Sequence, residues 1–161
     1  MQESKGYGRM QILLHWAIAI LIVANYFISD GMENAFDGMM KGAPVVFGWV
    51  PTFHVYAGVM VLILVALRLA LRIVRPTAAA NTGKPLLDKA AELGHYALYL
   101  LMIVAPALGA LSWFGMIDVT ASYHVLAVNV LLILALGHAA MSLFHQFVLR
   151  DGLMVRMIWS K

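Results

Sequence analysis

Six histidines carry most of the chemistry available to this 161-residue chain: His15, His54, His95, His124, His138 and His145. There is no cysteine. That excludes disulfides, thiolate metal sites, iron–sulfur clusters, covalent c-type haem attachment and a cysteine nucleophile, and leaves imidazole as the strong nitrogen ligand. Imidazole holds transition metals and passes protons near neutral pH. The spacing is suggestive. His124 and His138 are fourteen residues apart, which on a helix is a rise of about 21 Å and nearly four whole turns, so both point to roughly one face. Arg68 follows His54 by the same fourteen residues, and His145 follows His138 by seven.

The elements that must position these groups are set by composition. Hydrophobic residues make up 63% of the chain and charged residues 12%, too few charges to cover a surface facing water, so the exterior must face lipid. The formal charge of +3 is not pooled into a basic patch with interleaved aromatics, which argues against nucleic acid. A bilayer core needs about 20 mostly apolar residues per helix. Four stretches meet that need, at about 10–28, 52–74, 88–113 and 119–149, and predict an all-α, integral-membrane four-helix bundle. Lys5 and Arg9 precede the first, which is too long for a signal core and lacks a small-residue cleavage site, so it reads as a retained span. Pro51 opens the second and Arg75-Pro76 closes it. The third begins near Leu86 or Asp88 and carries Pro106, expected to kink it. Arg150, Asp151 and Gly152 end the fourth, leaving a tail to Lys161 that suits the membrane surface. With no internal repeat or low-complexity linker, residues 1–161 read as one domain.

Charge gives the spans a direction. Lys5, Arg9, Arg68, Arg72, Arg75, Lys84, Lys89, Arg150, Arg156 and Lys161 fall on one side, and Lys41 falls on the other. Positive residues stay in the cytoplasm, so both termini and the middle loop are expected inside. The loop from Asp30 to Pro51 and the turn from Trp113 to Ala121 then lie outside. Trp49, Trp113 and Tyr123 fall where interfacial aromatics belong.

Depth now sorts the histidines. His54 and His124 meet at the outer level and His15 and His138 at the inner level, each pair drawn from two helices. A bis-histidine haem inside a bundle needs that arrangement. Zinc would want three or four ligands converging at one depth. Proton relays string histidines with carboxylates, and no Asp or Glu lies inside a span core. Two separated pairs suit two b-type haems.

Other residues have two readings each. Gly58, one turn after His54, and Gly137, beside His138, either admit a porphyrin face or mark helix packing. Arg68 sits at the inner pair's depth, where it either meets a haem propionate or snorkels like Arg72 and Arg75. His145 and His95, on the inner side, either serve a quinone or are solvated interfacial residues. The eleven methionines read as adaptable packing rather than ligands.

Tyr7-Gly8-Arg9-Met10-Gln11-Ile12-Leu13-Leu14-His15-Trp16 resembles the opening of bacterial cytochrome b561 proteins. So do Phe53-His54-Val55-Tyr56-Ala57-Gly58, Leu67-Arg68-Leu69-Ala70-Leu71-Arg72, Glu92-Leu93-Gly94-His95, Gly137-His138-Ala139-Ala140 and Phe144-His145-Gln146. The resemblance covers nearly the whole chain in family order. The four-histidine layout is also similar to that of cytochrome b subunits of nickel hydrogenases and formate dehydrogenases. The resemblance implies a di-haem electron carrier of the bacterial inner membrane, with His15 and His138 on the inner haem and His54 and His124 on the outer. It also implies a superoxide oxidase-like activity: superoxide gives an electron outside and ubiquinone is reduced near the inner haem, where His145 and His95 match. An anion-collecting mouth should be basic, yet the outer loops hold Lys41 against Asp30, Glu33, Asp37 and Asp118. A periplasmic redox protein is the other donor expected. The alternative function is a membrane anchor passing electrons between a dehydrogenase or hydrogenase and the quinone pool. A haem-free proton or metal transporter is disfavoured by the absence of carboxylates from the span cores.

Overall fold

The computed structural model describes residues 7–44, 48–76, 85–150, 152 and 154–157. Lys5, Lys84, Asp151 and Lys161, named above, lie outside the described residues, as does the stretch 77–83 that joins the second span to the third. The described chain is helical, with no strand: α1 (Arg9–Phe27), α2 (Met32–Met40), α3 (Trp49–Val74), α4 (Pro85–Gly115) and α5 (Asp118–Phe144). A π-helical turn, His145–Leu149, prolongs α5, and a short 3-10 turn covers Val155–Met157. α1, α3, α4 and α5 with its extension are each long and apolar enough to cross a membrane.

The helix ends show why the spans start and stop where they do. Pro51 sits in the first turn of α3, where its missing N–H costs no helical bond, so the helix begins at Trp49 rather than at residue 52. Pro85 opens α4 for the same reason, three residues before Asp88. That helix runs through Pro106 to Gly115. Gln11 serves two helix ends at once. Its Oε1 accepts from the Gly8 N–H at 3.1 Å and its Nε2 donates to the Arg75 carbonyl at 3.1 Å, satisfying groups left open at the start of α1 and the end of α3. Met116 takes a left-handed conformation (φ 55°) and turns the chain tightly from α4 into α5. Across that turn Ser112 and Thr120 share a hydroxyl–hydroxyl hydrogen bond of 2.8 Å.

α1 packs on α3, α3 on α4, and α4 on α5, the last pair being the most extensive; α5 has no comparable contact with α1 or α3. A small core of Ile18, Val61 and Val65 (0% exposed), flanked by Leu21, Ile22, Leu64, Leu69, Tyr99 and Met102, knits α1, α3 and α4 together. Outward faces remain apolar, with Ile73, Leu100, Ile133 and Leu136 among many exposed large side chains. Lipid is the solvent such a surface needs.

Two expectations need correction. The loop beginning at Asp30 contains a helix, α2, which buries Phe36 and packs on α3. Trp113 is not a belt residue: it is 8% exposed, whereas Trp49 and Tyr123 are exposed as expected. The C-terminal tail is tied to α1, because the Trp16 indole N–H donates to the Met157 carbonyl at 3.0 Å. The two termini therefore leave the bundle at the same end.

Candidate functional site

Two histidine pairs form, one toward each end of the bundle. At the end away from the termini, His54 on α3 faces His124 on α5, with ring centroids 6.0 Å apart and planes at 85°. At the termini end, His15 on α1 faces His138 on α5, with centroids 6.3 Å apart and planes at 73°. Two imidazoles gripping a metal from opposite sides, each nitrogen about 2 Å from it and each ring centre about 1 Å farther out, place their centroids about 6 Å apart. Both pairs stand at about that separation. Within each pair the rings come from helices that do not pack directly on one another, which is how a flat macrocycle is held in a bundle.

The seat of His124 is built in detail. Its Nδ1 lies 2.7 Å from the Ala105 carbonyl of α4. With Nδ1–H donating there, Nε2 keeps its lone pair for a metal and the ring is fixed in orientation. One turn further along α4, a Cβ on Gly109 would stand 3.1 Å from the His124 ring. Glycine at 109 lets the ring lie against the α4 backbone. Sequence reasoning missed Ala105 and Gly109; the signal was the small-residue string Ala105-Pro106-Ala107-Leu108-Gly109-Ala110 at the depth of His124.

The other glycines divide. A Cβ on Gly58 would meet the Asn25 amide at 4.0 Å, a contact with α1, while a Cβ on Gly137 would meet nothing within 4 Å. The helix-packing reading thus gains support at Gly58 and none at Gly137.

At the pair nearer the termini a third ring joins. His95 on α4 lies 5.1 Å from His138 between centroids, too close for a metal between opposed rings, and its Nδ1 is 2.7 Å from the Ala91 carbonyl of its own helix. His95 therefore flanks the pair. His145 opens the π-helical turn, a local widening frequent at functional sites. Beside it, the Gln146 Oε1 is buried without a hydrogen-bond partner.

Arg68 ties three helices together. Its Nε donates to the Tyr99 hydroxyl of α4 at 3.1 Å and an Nη to the Gln11 carbonyl of α1 at 2.5 Å. Arg72 lies over the Tyr99 ring, 5.4 Å from its centroid. Gln11, one turn before His15, is 8% exposed, so this network borders the pair nearer the termini. Neither Arg68 partner is a carboxylate, and a guanidinium has five N–H donors, leaving others for an anion. Arg68→Met should cost about 2 kcal/mol through the lost charged hydrogen bonds. The check is a lower thermal midpoint in detergent, with Arg68→Lys recovering only part because it lacks the planar fork.

Among the described residues no group of three or more His, Asp or Glu side chains could hold a bare metal ion. Paired histidines at two depths of an apolar helical bundle are the arrangement that a membrane cytochrome b uses. The family model for prokaryotic cytochrome b561 matches residues 6–160, and the chain belongs to that family. It is 41% identical over 159 residues to a Cereibacter sphaeroides protein named cytochrome b562, with 98% of each chain covered. It is 26% identical over 179 residues to the Yersinia pestis protein named "Probable superoxide oxidase CybB", again with 98% of each covered. The Escherichia coli protein named cytochrome b561 homolog 2 is 25% identical over 177 residues, covering 94% of this chain and 90% of that one. The chain is thus a multi-pass membrane cytochrome b of a family that implies b-type haem.

Proposed function

We propose that this chain is a di-haem cytochrome b that moves electrons across the bacterial inner membrane, between a donor at the outer face and ubiquinone at the inner. In this reading it works as a single domain with both termini in the cytoplasm. His15 and His138 hold the inner haem, and His54 and His124 hold the outer. The observation that carries it is the pair of centroid separations, 6.3 and 6.0 Å, with α5 offering a ring to both.

Haem iron supplies a one-electron couple, and the chain's residues supply ligation, orientation and insulation. Ala105 and Gly109 hold the His124 ring toward its partner. Ile18, Val61 and Val65 keep water out of the middle of the bundle. Arg68, braced by Tyr99 and Gln11, offers its remaining N–H groups to a propionate. His145, at the π-helical turn, and His95, beside His138, are the groups for a quinone carbonyl and its protons.

The name borne by the Yersinia pestis relative supports superoxide as the outer donor. The acidic outer loops, with Asp30, Glu33, Asp37 and Asp118 against Lys41, instead favour a periplasmic redox protein with a basic face.

Stopped-flow spectroscopy on the purified protein tests both halves. Superoxide should reduce the haems and a short-chain ubiquinone should reoxidise them. Haems that superoxide leaves oxidised would move the donor to a protein, and reduced haems that ubiquinone leaves reduced would contradict the quinone assignment.

A further inference from the structure

The two rings of the outer pair are not equally supported, and the difference points to Asn25. His124 has the Ala105 carbonyl on its Nδ1. His54 Nδ1 is buried with no hydrogen-bond partner. Asn25 Oδ1 is likewise buried with none. The two atoms belong to neighbouring residues where α1 crosses α3. The Asn25 main-chain carbonyl lies beside the His54 ring but outside hydrogen-bonding geometry to its Nδ1, and the Asn25 amide nitrogen reaches within 4.0 Å of the Cβ position of Gly58, one turn after His54. They are also complementary. An amide oxygen only accepts, and an imidazole that gives Nε2 to a metal can only donate from Nδ1. Leaving either unsatisfied inside a bilayer is costly, and a hydrogen bond between them would satisfy both.

We propose that Asn25 is a positioning residue for the outer site: its Oδ1 accepts the His54 Nδ1–H, fixes that ring, and lowers the outer site's reduction potential. A hydrogen bond on Nδ1–H makes the imidazole a stronger donor to the metal, which favours the oxidised ion. This inference rests on the assignment of His54 and His124 to an outer haem.

Redox titration of the full-length protein in detergent tests it, with the outer haem identified as the one missing from His124→Ala. Asn25→Leu removes the acceptor at similar volume and should raise the outer haem's midpoint potential while the inner one stays in place. Asn25→Asp keeps an acceptor, now charged, and should bring the outer potential to or below that of the unaltered protein. An unmoved outer potential in Asn25→Leu, or upward shifts in both variants, would overturn the inference while leaving the two-haem reading intact. Should Asn25→Leu fail to fold, Asn25→Asp alone decides, because a raised outer potential there contradicts the hydrogen bond. An unaltered protein with no outer haem would overturn both.

Discussion

Replacing His124 by Ala is expected to yield a folded membrane protein that carries one haem instead of two, and His54→Ala should give the same product. Both rings of the pair should be needed, because under the proposed ligation each would supply one side of a grip whose centroids stand 6.0 Å apart. His15→Ala and His138→Ala should instead lose the inner haem and retain the outer. The two losses differ by spectrum and potential, so the four variants should sort into two classes. His95→Ala belongs to neither class. Its ring flanks His138 at 5.1 Å and should be dispensable for haem content. Haem-to-protein ratios of the five purified variants check the pairing, and a variant that fell in the wrong class would break it. The fold should survive each change, since α1, α3 and α4 are joined by Ile18, Val61 and Val65 rather than by the histidines.

Gly109→Leu is expected to abolish the outer haem with every ligand still present. Even a Cβ at 109 would stand 3.1 Å from the His124 ring, and a leucine side chain needs the space that ring occupies. The ring must then leave the Ala105 carbonyl, losing the orientation that presents Nε2. Gly109→Ala is the graded case: the ring must give by a few tenths of an ångström, so the outer haem should remain with an altered low-spin spectrum. Helix propensity predicts the opposite sign, because Ala is favoured over Gly in a helix by about 1 kcal/mol. Helicity and thermal stability should therefore hold or rise while haem binding weakens. Circular dichroism beside haem content separates the two, and equal haem content in Gly109→Leu would show that the ring is not seated against α4.

What the sequence made legible was depth. Counting residues along a span gives height directly, so the pairing of His15 with His138 and of His54 with His124 followed from arithmetic, and the rings meet accordingly. Azimuth was legible only where two marks shared a helix, as on α5. It was not legible between helices, since rotation about each axis is set by packing of side chains that are nearly all apolar. For that reason Trp113, at belt depth, turned out buried. Arg68, at the inner pair's depth, was found braced by Tyr99 and Gln11, partners that no spacing rule names. Asn25 and Gly109 went unnoticed on the same ground. Each looks like an ordinary residue of its own helix, and its meaning comes from a neighbour on another. α2 was missed for a different reason: span-length windows ignore a nine-residue helix.

The central claim is that two opposed histidine pairs hold two haems in one chain. The most direct test is the haem-to-protein ratio of the purified, unaltered protein, read with its reduced-minus-oxidised visible spectrum. Two b-type haems per chain, titrating as two components, are the expected result. A ratio of one would remove one of the pairs from the account, and a colourless protein would contradict it outright.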